Sequence, residues 1–456
     1  MQFQKSLFIF RRDLRLEDNT ALLEALKASR EVLPCFIFDP RQIEGQAYKS
    51  VNALQFMIFS LLELTSALKQ RGARLFLFYG KAEAVVARLI ESEKIEAVFV
   101  NEDYTPFSRK RDEAIKTATQ NRGVMFAAFS DVLLNAPHAV QKKSGGAYTV
   151  FTPFYKAASK IKVPEPRTNS GTNYYRGRVG IEELEDAARL LPSRNHSIFR
   201  EGGRGEALSI LSNLSRYKRY EIERNFPALR GTTGLSAHLK FGCVSIREVY
   251  HAIRDKLGAG HALLRQLYWR DFFSYIGAHF PHVYEGAFQA RYNALAWEND
   301  RKKFLAWCKG RTGFPLVDAG MRELNTTGFM HNRVRMVSAS FLVKDLHINW
   351  RWGERYFARK LVDYDPAVNN GNWQWAASTG CDAQPYFRIF NPWLQQKRFD
   401  AECRYIKTWV PELRSFSAEQ IHAWERQSRP IAGYAPPLVD HAEMRHVAEE
   451  MFEALE

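Results

Sequence analysis

Thr232, Thr233 and Ser236 place three hydroxyls around Gly234 and Leu235, just ahead of a segment with helical character. Such a turn can offer hydroxyls and backbone N–H groups to a diphosphate, and a helix N-terminus favours the anion. The same residue types also cap ordinary helices, so the turn by itself leaves both uses open. Ten tryptophans stand along the chain. Indoles give up single electrons readily, and a series of them can carry charge, although an isolated tryptophan is ordinarily a packing residue. The five cysteines, Cys35, Cys243, Cys308, Cys381 and Cys403, are widely spaced and form no C-x-x-C pair. They suggest free thiols in a reducing compartment, with neither a zinc ligand set nor a disulfide framework. A formal charge of +15 favours a polyanionic partner, without choosing between nucleic acid and another anionic surface.

The elements that must position these groups fall into two styles. Short apolar runs at residues 6–10, 32–38, 74–79 and 97–100 alternate with helix-period segments such as 50–71 and 82–92. Strands alternating with helices predict a parallel sheet with crossover helices. The first strand is followed by Arg11-Arg12-Asp13-Leu14-Arg15. No glycine there brings the backbone close to a pyrophosphate, so the sheet is nucleotide-fold-like and not of the NAD-binding kind. From Phe129 to Arg200, Gly145-Gly146, Pro164, Pro166 and a polar run suggest a long connector. Beyond Gly203 helix signals dominate, over 206–220, 245–256, 261–280, 300–308, 317–325 and 330–344. No stretch approaches an uninterrupted apolar span, and the N-terminus lacks the order of a signal peptide. The expectation is a soluble, cytoplasmic protein.

Eight stretches, in order and over nearly the whole chain, resemble the photolyase/cryptochrome family. They are Phe10-Arg11-Arg12-Asp13-Leu14-Arg15-Leu16-Glu17-Asp18-Asn19, the Thr232–Gly242 segment, Trp269-Arg270-Asp271-Phe272-Phe273 and Met330-His331-Asn332-Arg333. Asp363-Tyr364-Asp365, Asn369–Ala376, Tyr386–Pro392 and Tyr434–His441 complete the series. The resemblance implies an α/β N-terminal domain with a parallel, Rossmann-like sheet (1–128) that binds an antenna, an interdomain connector (129–200), and a large all-α FAD-binding C-terminal domain (201–456).

It also implies residue roles. FAD would be held by Tyr220, the Thr232-Thr233-Gly234-Leu235-Ser236 turn, Arg270, and Asp363-Tyr364-Asp365, with Arg335 paired to Asp363. A guanidinium partner suits a carboxylate that would otherwise protonate on burial. Asn369 matches the asparagine that faces the flavin N5 in photolyases, where plant cryptochromes usually carry aspartate and animal ones cysteine. A neutral amide can donate or accept there, which favours repair over signalling, although Asn369-Asn370-Gly371 in isolation would read as a turn. Trp373, Trp350 and Trp297 match the tryptophan chain from flavin to surface.

For the substrate, the dimerised pyrimidine pair must leave the duplex. Trp269 and Trp375 match the aromatic walls of the pocket, Asn332 and Gln266 its hydrogen-bonding groups, and Met336 an apolar wall. Arg224, Arg333, Gln395 and Arg398 are candidates for strand contacts. Asn332 and Met336 stand where enzymes for the (6-4) photoproduct carry histidines, which favours the cyclobutane dimer. Gln266 departs from the glutamate common in cyclobutane-dimer enzymes. Cys35, Phe36, Phe38, Asn101, Asp103 and Lys240 lie on the family's antenna-facing segments, as do Glu102, Tyr104 and Arg109–Asp112. Lys240 resembles members that bind 8-hydroxy-5-deazaflavin; methenyltetrahydrofolate or a flavin is the alternative occupant. The implied activity is that of a carbon–carbon lyase, acting as a monomer on UV-damaged DNA. Light-excited reduced FAD would pass one electron to a cyclobutane pyrimidine dimer, which splits and returns it. A blue-light sensor and a (6-4) enzyme are the alternatives. The sequence shows no cluster with metal-ligand spacing.

Overall fold

Near-continuous apolar runs form five parallel strands: β1 (Phe3–Phe10), β2 (Ser29–Phe38), β3 (Phe76–Tyr79), β4 (Ala97–Asn101) and β5 (Met125–Phe129). Their order is β3-β2-β1-β4-β5, with Ile9 opposite Cys35 and Val100 on its two sides. In β1, Leu7, Phe8, Ile9 and Phe10 are all at most 3% exposed. Both faces are therefore covered, as in parallel sheets generally. Each such side chain contributes about 1.5–3 kcal/mol of transfer free energy. Pro34 is tolerated inside β2 because β3 begins to pair only at Cys35, so the missing N–H costs no rung on that side. The computed structural model describes residues 2–45, 47–431 and 433–455.

The crossovers are α1 (Thr20–Ala28), α2 (Val51–Gln70), α3 (Ala82–Glu93) and α4 (Pro106–Gln120). Asn19, Ser50 and Thr105 cap three of them by accepting a backbone N–H of the first turn. The four strands expected from apolar runs are present, as are the helices expected at 50–71 and 82–92. β5 was not expected. Among the described residues α2 is the one helix whose length and composition would suit a bilayer, which qualifies the expectation of no such segment. Here its Gln55 and Ser60 are buried, and its Phe56 stacks on Phe241 at 5.2 Å.

The chain forms two compact units. The first comprises Met1–Arg194, Arg200–Ser215 and Gly234–Pro281, the second Asn195–Phe199, Arg216–Thr233 and His282–Glu456. Besides the sheet, the first unit contains α5 (Phe151–Ala158), α6 (Ser236–Phe241), α7 (Ile246–Leu257) and α8 (Ala262–His279). A buried quartet ties α7 to the sheet. Asp131 accepts from Arg15 (2.6 Å) and from Arg247 (2.7 Å), and Arg247 also donates to Asp18 (2.8 Å). Burial would raise the Asp131 carboxyl, but the two guanidinium charges hold it well below the usual carboxylate range. Gly242 ends α6 at φ +65°, where a Cβ would lie 2.3 Å from the Arg12 carbonyl oxygen. Only glycine fits that approach.

The second unit is helical among its described residues: the helix Arg301–Cys308 is followed by α9 (Pro315–Thr327), α10 (Asn332–Ser340), α11 (Trp350–Lys360), α12 (Pro366–Ala376), α13 (Pro392–Phe399), α14 (Arg404–Trp409) and α15 (His441–Glu453), with shorter turns. Trp307, Phe314, Phe341, Leu342, Trp373 and Trp393 lie in its core. α10 runs into a π-helical turn, Phe341–Asp345. The helix expected over 206–220 is broken. Arg204–Ser212 is α-helical, Leu214–Tyr217 is a 3-10 turn, and a new turn starts at Tyr220. The break falls at Asn213, whose backbone (φ −100°, ψ 20°) leaves the helical region.

Candidate active site

In the second unit the chemistry gathers on α12. Asp365 caps it, accepting from the N–H groups of Ala367 (3.1 Å) and Val368 (3.4 Å), and Pro366 occupies the first turn where no N–H is needed. Asn369 and Trp373 follow at four-residue intervals, so Asp365, Asn369 and Trp373 share one face. Asn369 is not in a turn. Its Nδ2 donates to the Glu354 carbonyl of α11 (3.1 Å), which fixes the amide while its second N–H and its Oδ1 keep the capacity to donate and accept. Asn370 donates to the Val283 carbonyl (3.0 Å). Asp363 accepts from Arg335 Nη2 at 3.2 and 3.0 Å, as the resemblance implied, and Arg335 Nε is held by the Met330 carbonyl (2.7 Å).

Trp373 is 2% exposed, edge-on to Phe357 (4.9 Å) and Trp307 (6.2 Å). It packs directly on Gly353, where a Cβ would come within 2.2 Å of the indole. Trp350 heads α11 and is buried in the same core. Trp297 is half-buried, its ring edge-on to Phe452 at 6.5 Å. Tyr220 is buried, which pushes its phenol up, and the Arg224 guanidinium lies over its ring. Tyr364 is half-buried beside the core.

A cationic face belongs to the same unit. Arg333 donates to Asn225 (2.7 Å) and lies over the Phe399 ring at 4.3 Å. Burial, reinforced by the charges of Arg224 and Arg398, lowers its pKa, so three guanidiniums crowd one region. Arg333 Nε and Gln395 Oε1 are buried without partners among the described residues. On α10, the Asn332 amide and the Met336 sulfur are 3.6 Å apart on the surface. His331 caps α10, Nδ1 accepting from the Arg333 N–H (3.2 Å). Burial, then the charges of Arg333, Arg335 and Arg224, push it down to about 4. The neutral ring thus carries its proton on Nε2, a buried donor with no acceptor among the described residues. Trp375 is half-buried, with Phe390 6.4 Å from its ring.

In the first unit, Gln266, Trp269 and Arg270 share a face of α8. Trp269 stacks flat on Phe151, 3.6 Å between ring centres. Arg270 donates to the carbonyls of Val132 (2.6 Å) and Leu239 (3.2 Å). The next residue, Asp271, accepts from the N–H groups of Leu134 and Asn135, yet burial raises it to about 7. The Gly234-Leu235-Ser236 segment opens α6, and Leu235 at the cap position makes no side-chain capping bond.

Strand order reverses between β1 and β4, the place where open parallel sheets bind ligands. Asn101 is fully engaged there, donating to Asp13 (2.5 Å) and Asn19 (2.8 Å) and accepting from Ala21 N–H (3.0 Å). Asp103 accepts from Arg12 (3.2 Å) and Ser108 (2.9 Å). These two shape the loop. Phe36 and Phe38 meet edge-on at 4.8 Å, Cys35 is fully buried, and Lys240 lies over the Phe241 ring. Arg111, on the antenna-facing segment that the resemblance implied, and Arg11, which was not among the candidate ligand groups, both reach Asp112 (3.1 and 2.7 Å). Each leaves a buried Nη2 without a partner among the described residues. Burial, then the Arg11 charge, bring Arg111 down to about 10.

Comparison with known proteins agrees with this geometry. The family model described as DNA photolyase matches residues 6–169, and that described as the FAD binding domain of DNA photolyase matches 263–454. A deoxyribodipyrimidine photo-lyase from Alkalihalophilus pseudofirmus is 36% identical, the match covering 97% of this chain and 96% of that one. The crystal structure of an archaeal photolyase from Sulfolobus tokodaii with two FAD molecules superposes with a TM-score of 0.89 at 44% identity, over 99% of this chain and 100% of that one. A class III photolyase from Agrobacterium tumefaciens gives 0.91 at 35%, over 100% and 98%. The chain belongs to the DNA photolyase family. Within the second unit the residues present suit FAD: a carboxylate held by a guanidinium and a pinned neutral amide.

Proposed function

We propose that the protein splits cyclobutane pyrimidine dimers in UV-damaged DNA under blue light. The observation that carries this reading is the α12 face, where Asp365, the pinned Asn369 amide and Trp373 stand in line. When bound, reduced FAD supplies the photochemistry, absorbing light and lending one electron to the dimer. Asp363 and Asp365 would anchor FAD through its polar groups, with Tyr220, Tyr364, Thr232 and Thr233 in the same unit. Gly234, Leu235, Ser236 and Arg270, in the first unit, keep the cofactor roles that the resemblance implies. Asn369 presents a neutral group that tolerates different protonation states of its neighbour. Arg224, Arg333 and Arg398 bind backbone phosphate, which positions the DNA without reading its sequence. Asn332 and Met336 offer one polar and one apolar contact to an extruded base. Gln266, Trp269, Trp375 and Gln395 keep the substrate roles that the resemblance implies. Trp373, Trp350 and Trp297 serve to keep the cofactor reduced.

A second chromophore is assigned to the crevice at the C-terminal ends of β1 and β4. The unpartnered Nη2 atoms of Arg11 and Arg111 suit an anionic group. The Sulfolobus tokodaii photolyase holds two FAD molecules, so we favour a flavin there over a deazaflavin. We take the working form to be a cytoplasmic monomer.

The test is to reduce the purified protein, illuminate it with DNA carrying a cyclobutane dimer, and measure dimer loss. Light-dependent loss supports the reading. Bound flavin without loss of that lesion transfers the activity to the (6-4) photoproduct or to light sensing. The absorption spectrum, taken alongside, separates a second flavin from a deazaflavin.

A further inference from the structure

A series of ring contacts starts from Trp373 and includes neither Trp350 nor Trp297. The Trp307 indole lies 6.2 Å from Trp373 between ring centres. Trp307 stacks against Phe304 at 5.9 Å, and Phe304 meets Trp352 edge-on at 5.2 Å. Tyr356 touches both Trp307 (5.7 Å) and Phe304 (6.3 Å). Trp307 is fully buried, whereas Trp352 is half-buried and reaches solvent.

We propose that Trp307 and Trp352 form a second electron path from solvent to Trp373, beside the one through Trp350 and Trp297. The inference rests on the flavin reading above. Under light Trp373 gives one electron to the oxidised flavin. Trp307 refills Trp373, and Trp352 refills Trp307. A thiol in solution refills Trp352, releases its proton to water and ends as half of a disulfide. One electron has then entered the cofactor for each thiol oxidised.

The surroundings decide where the missing electron rests. Trp307 Nε1–H donates to the Ser338 carbonyl (3.0 Å). A carbonyl is too weak a base to take that proton, so the oxidised indole stays a cation in an apolar core, where charge is poorly tolerated. Tyr356 is no better resting place. Its hydroxyl meets Asn325 Oδ1 (2.6 Å) and the Cys308 carbonyl (2.9 Å), neither of them a base, and burial pushes its phenol well above the usual value. At Trp352 water can solvate the cation and accept its proton. The electron deficit therefore runs outward to Trp352.

The test uses the FAD-loaded protein with oxidised flavin, a thiol and blue light. Flavin bleaching is followed in Trp350→Phe, Trp352→Phe and the double variant. Samples illuminated in air without thiol are digested, and peptide mass spectrometry locates oxidised tryptophan. Trp350→Phe is expected to retain bleaching and to accumulate oxidation at Trp352, while the double variant loses bleaching. Loss of bleaching in Trp350→Phe alone, or a double variant that bleaches as Trp350→Phe does, overturns the proposal. Should Trp350→Phe not fold, Trp297→Phe and Trp297→Phe/Trp352→Phe decide on the same criteria. Repair by the dithionite-reduced parent reports on the proposed function separately. A parent that bleaches but repairs nothing overturns repair alone, and a parent that binds no flavin overturns both.

Discussion

Gly353 sits inside α11 directly under Trp373, and Gly353→Ala should destabilise the protein although alanine is the better helix former. In an unobstructed helix interior the substitution gains roughly 0.5–1 kcal/mol. Here the new Cβ would lie 2.2 and 2.6 Å from two carbons of the Trp373 ring and 2.5 Å from Leu342 Cδ2. The ring cannot retreat, because Phe357 and Trp307 hold it edge-on on other sides. Overpacking of a rigid core costs about 1–3 kcal/mol, and three contacts this short belong to the upper half of that range. The clash therefore wins, with a net loss on the order of 1–2 kcal/mol. For a unit of this size that lowers Tm by about 2–8 °C. Thermal unfolding followed by circular dichroism and by flavin release measures it. Light-driven bleaching of the variant should slow as well, since the displaced indole is the one on the Asn369 face. A Tm equal to or above that of the parent would refute the reasoning.

Arg398→Ala should weaken DNA binding and flatten the plot of log affinity against log salt by about 0.9 for each phosphate that is no longer neutralised; an unchanged slope removes Arg398 from the interface. Glu323 accepts from the Tyr405 hydroxyl (2.6 Å), and burial raises it to about 7 from 4.5. Its folded pKa exceeds the unfolded one, so its contribution is present below pH 4.5 and is lost as pH rises through 7. Glu323→Gln can accept the same hydrogen bond, and its Tm relative to the parent should rise between pH 4.5 and 7; a constant difference would show that Glu323 does not titrate there. Gln266→Glu should raise the quantum yield of repair by offering a charge near the dimer, and an unaltered yield rules out that electrostatic role.

The sheet was legible because buried parallel strands are apolar on both faces and need no partner to be recognised. β5 was not, since Met125 is exposed and only Ala127 of its five residues is buried, so its apolar run is too weak to stand out. Asn369-Asn370-Gly371 reads locally as a turn, yet it lies inside α12. Two amide bonds to other segments, at the Glu354 and Val283 carbonyls, outweigh the local preference. The family resemblance, and nothing in the spacing itself, brought the Asp363–Arg335 pair into view. That Arg11 and Arg111 each keep an unpartnered Nη2 is a property of the packed crevice and leaves no trace in spacing. Likewise, α6 to α8 stand with the sheet in one unit, although a linear reading groups them with the helices that follow.

The quartet of Arg15, Asp18, Asp131 and Arg247 has a bearing on how the chain is made. Arg247 lies 116 residues beyond Asp131. At about 5–20 residues per second of synthesis, the second guanidinium arrives on the order of 6–23 s after the carboxylate it neutralises. During that interval every strand of the sheet is already present, but Asp131 and Asp18 lack the Arg247 cation that their burial requires. Until α7 emerges Asp131 has Arg15 alone as its counter-charge, and the quartet that ties α7 to the sheet closes only once residue 247 has been made.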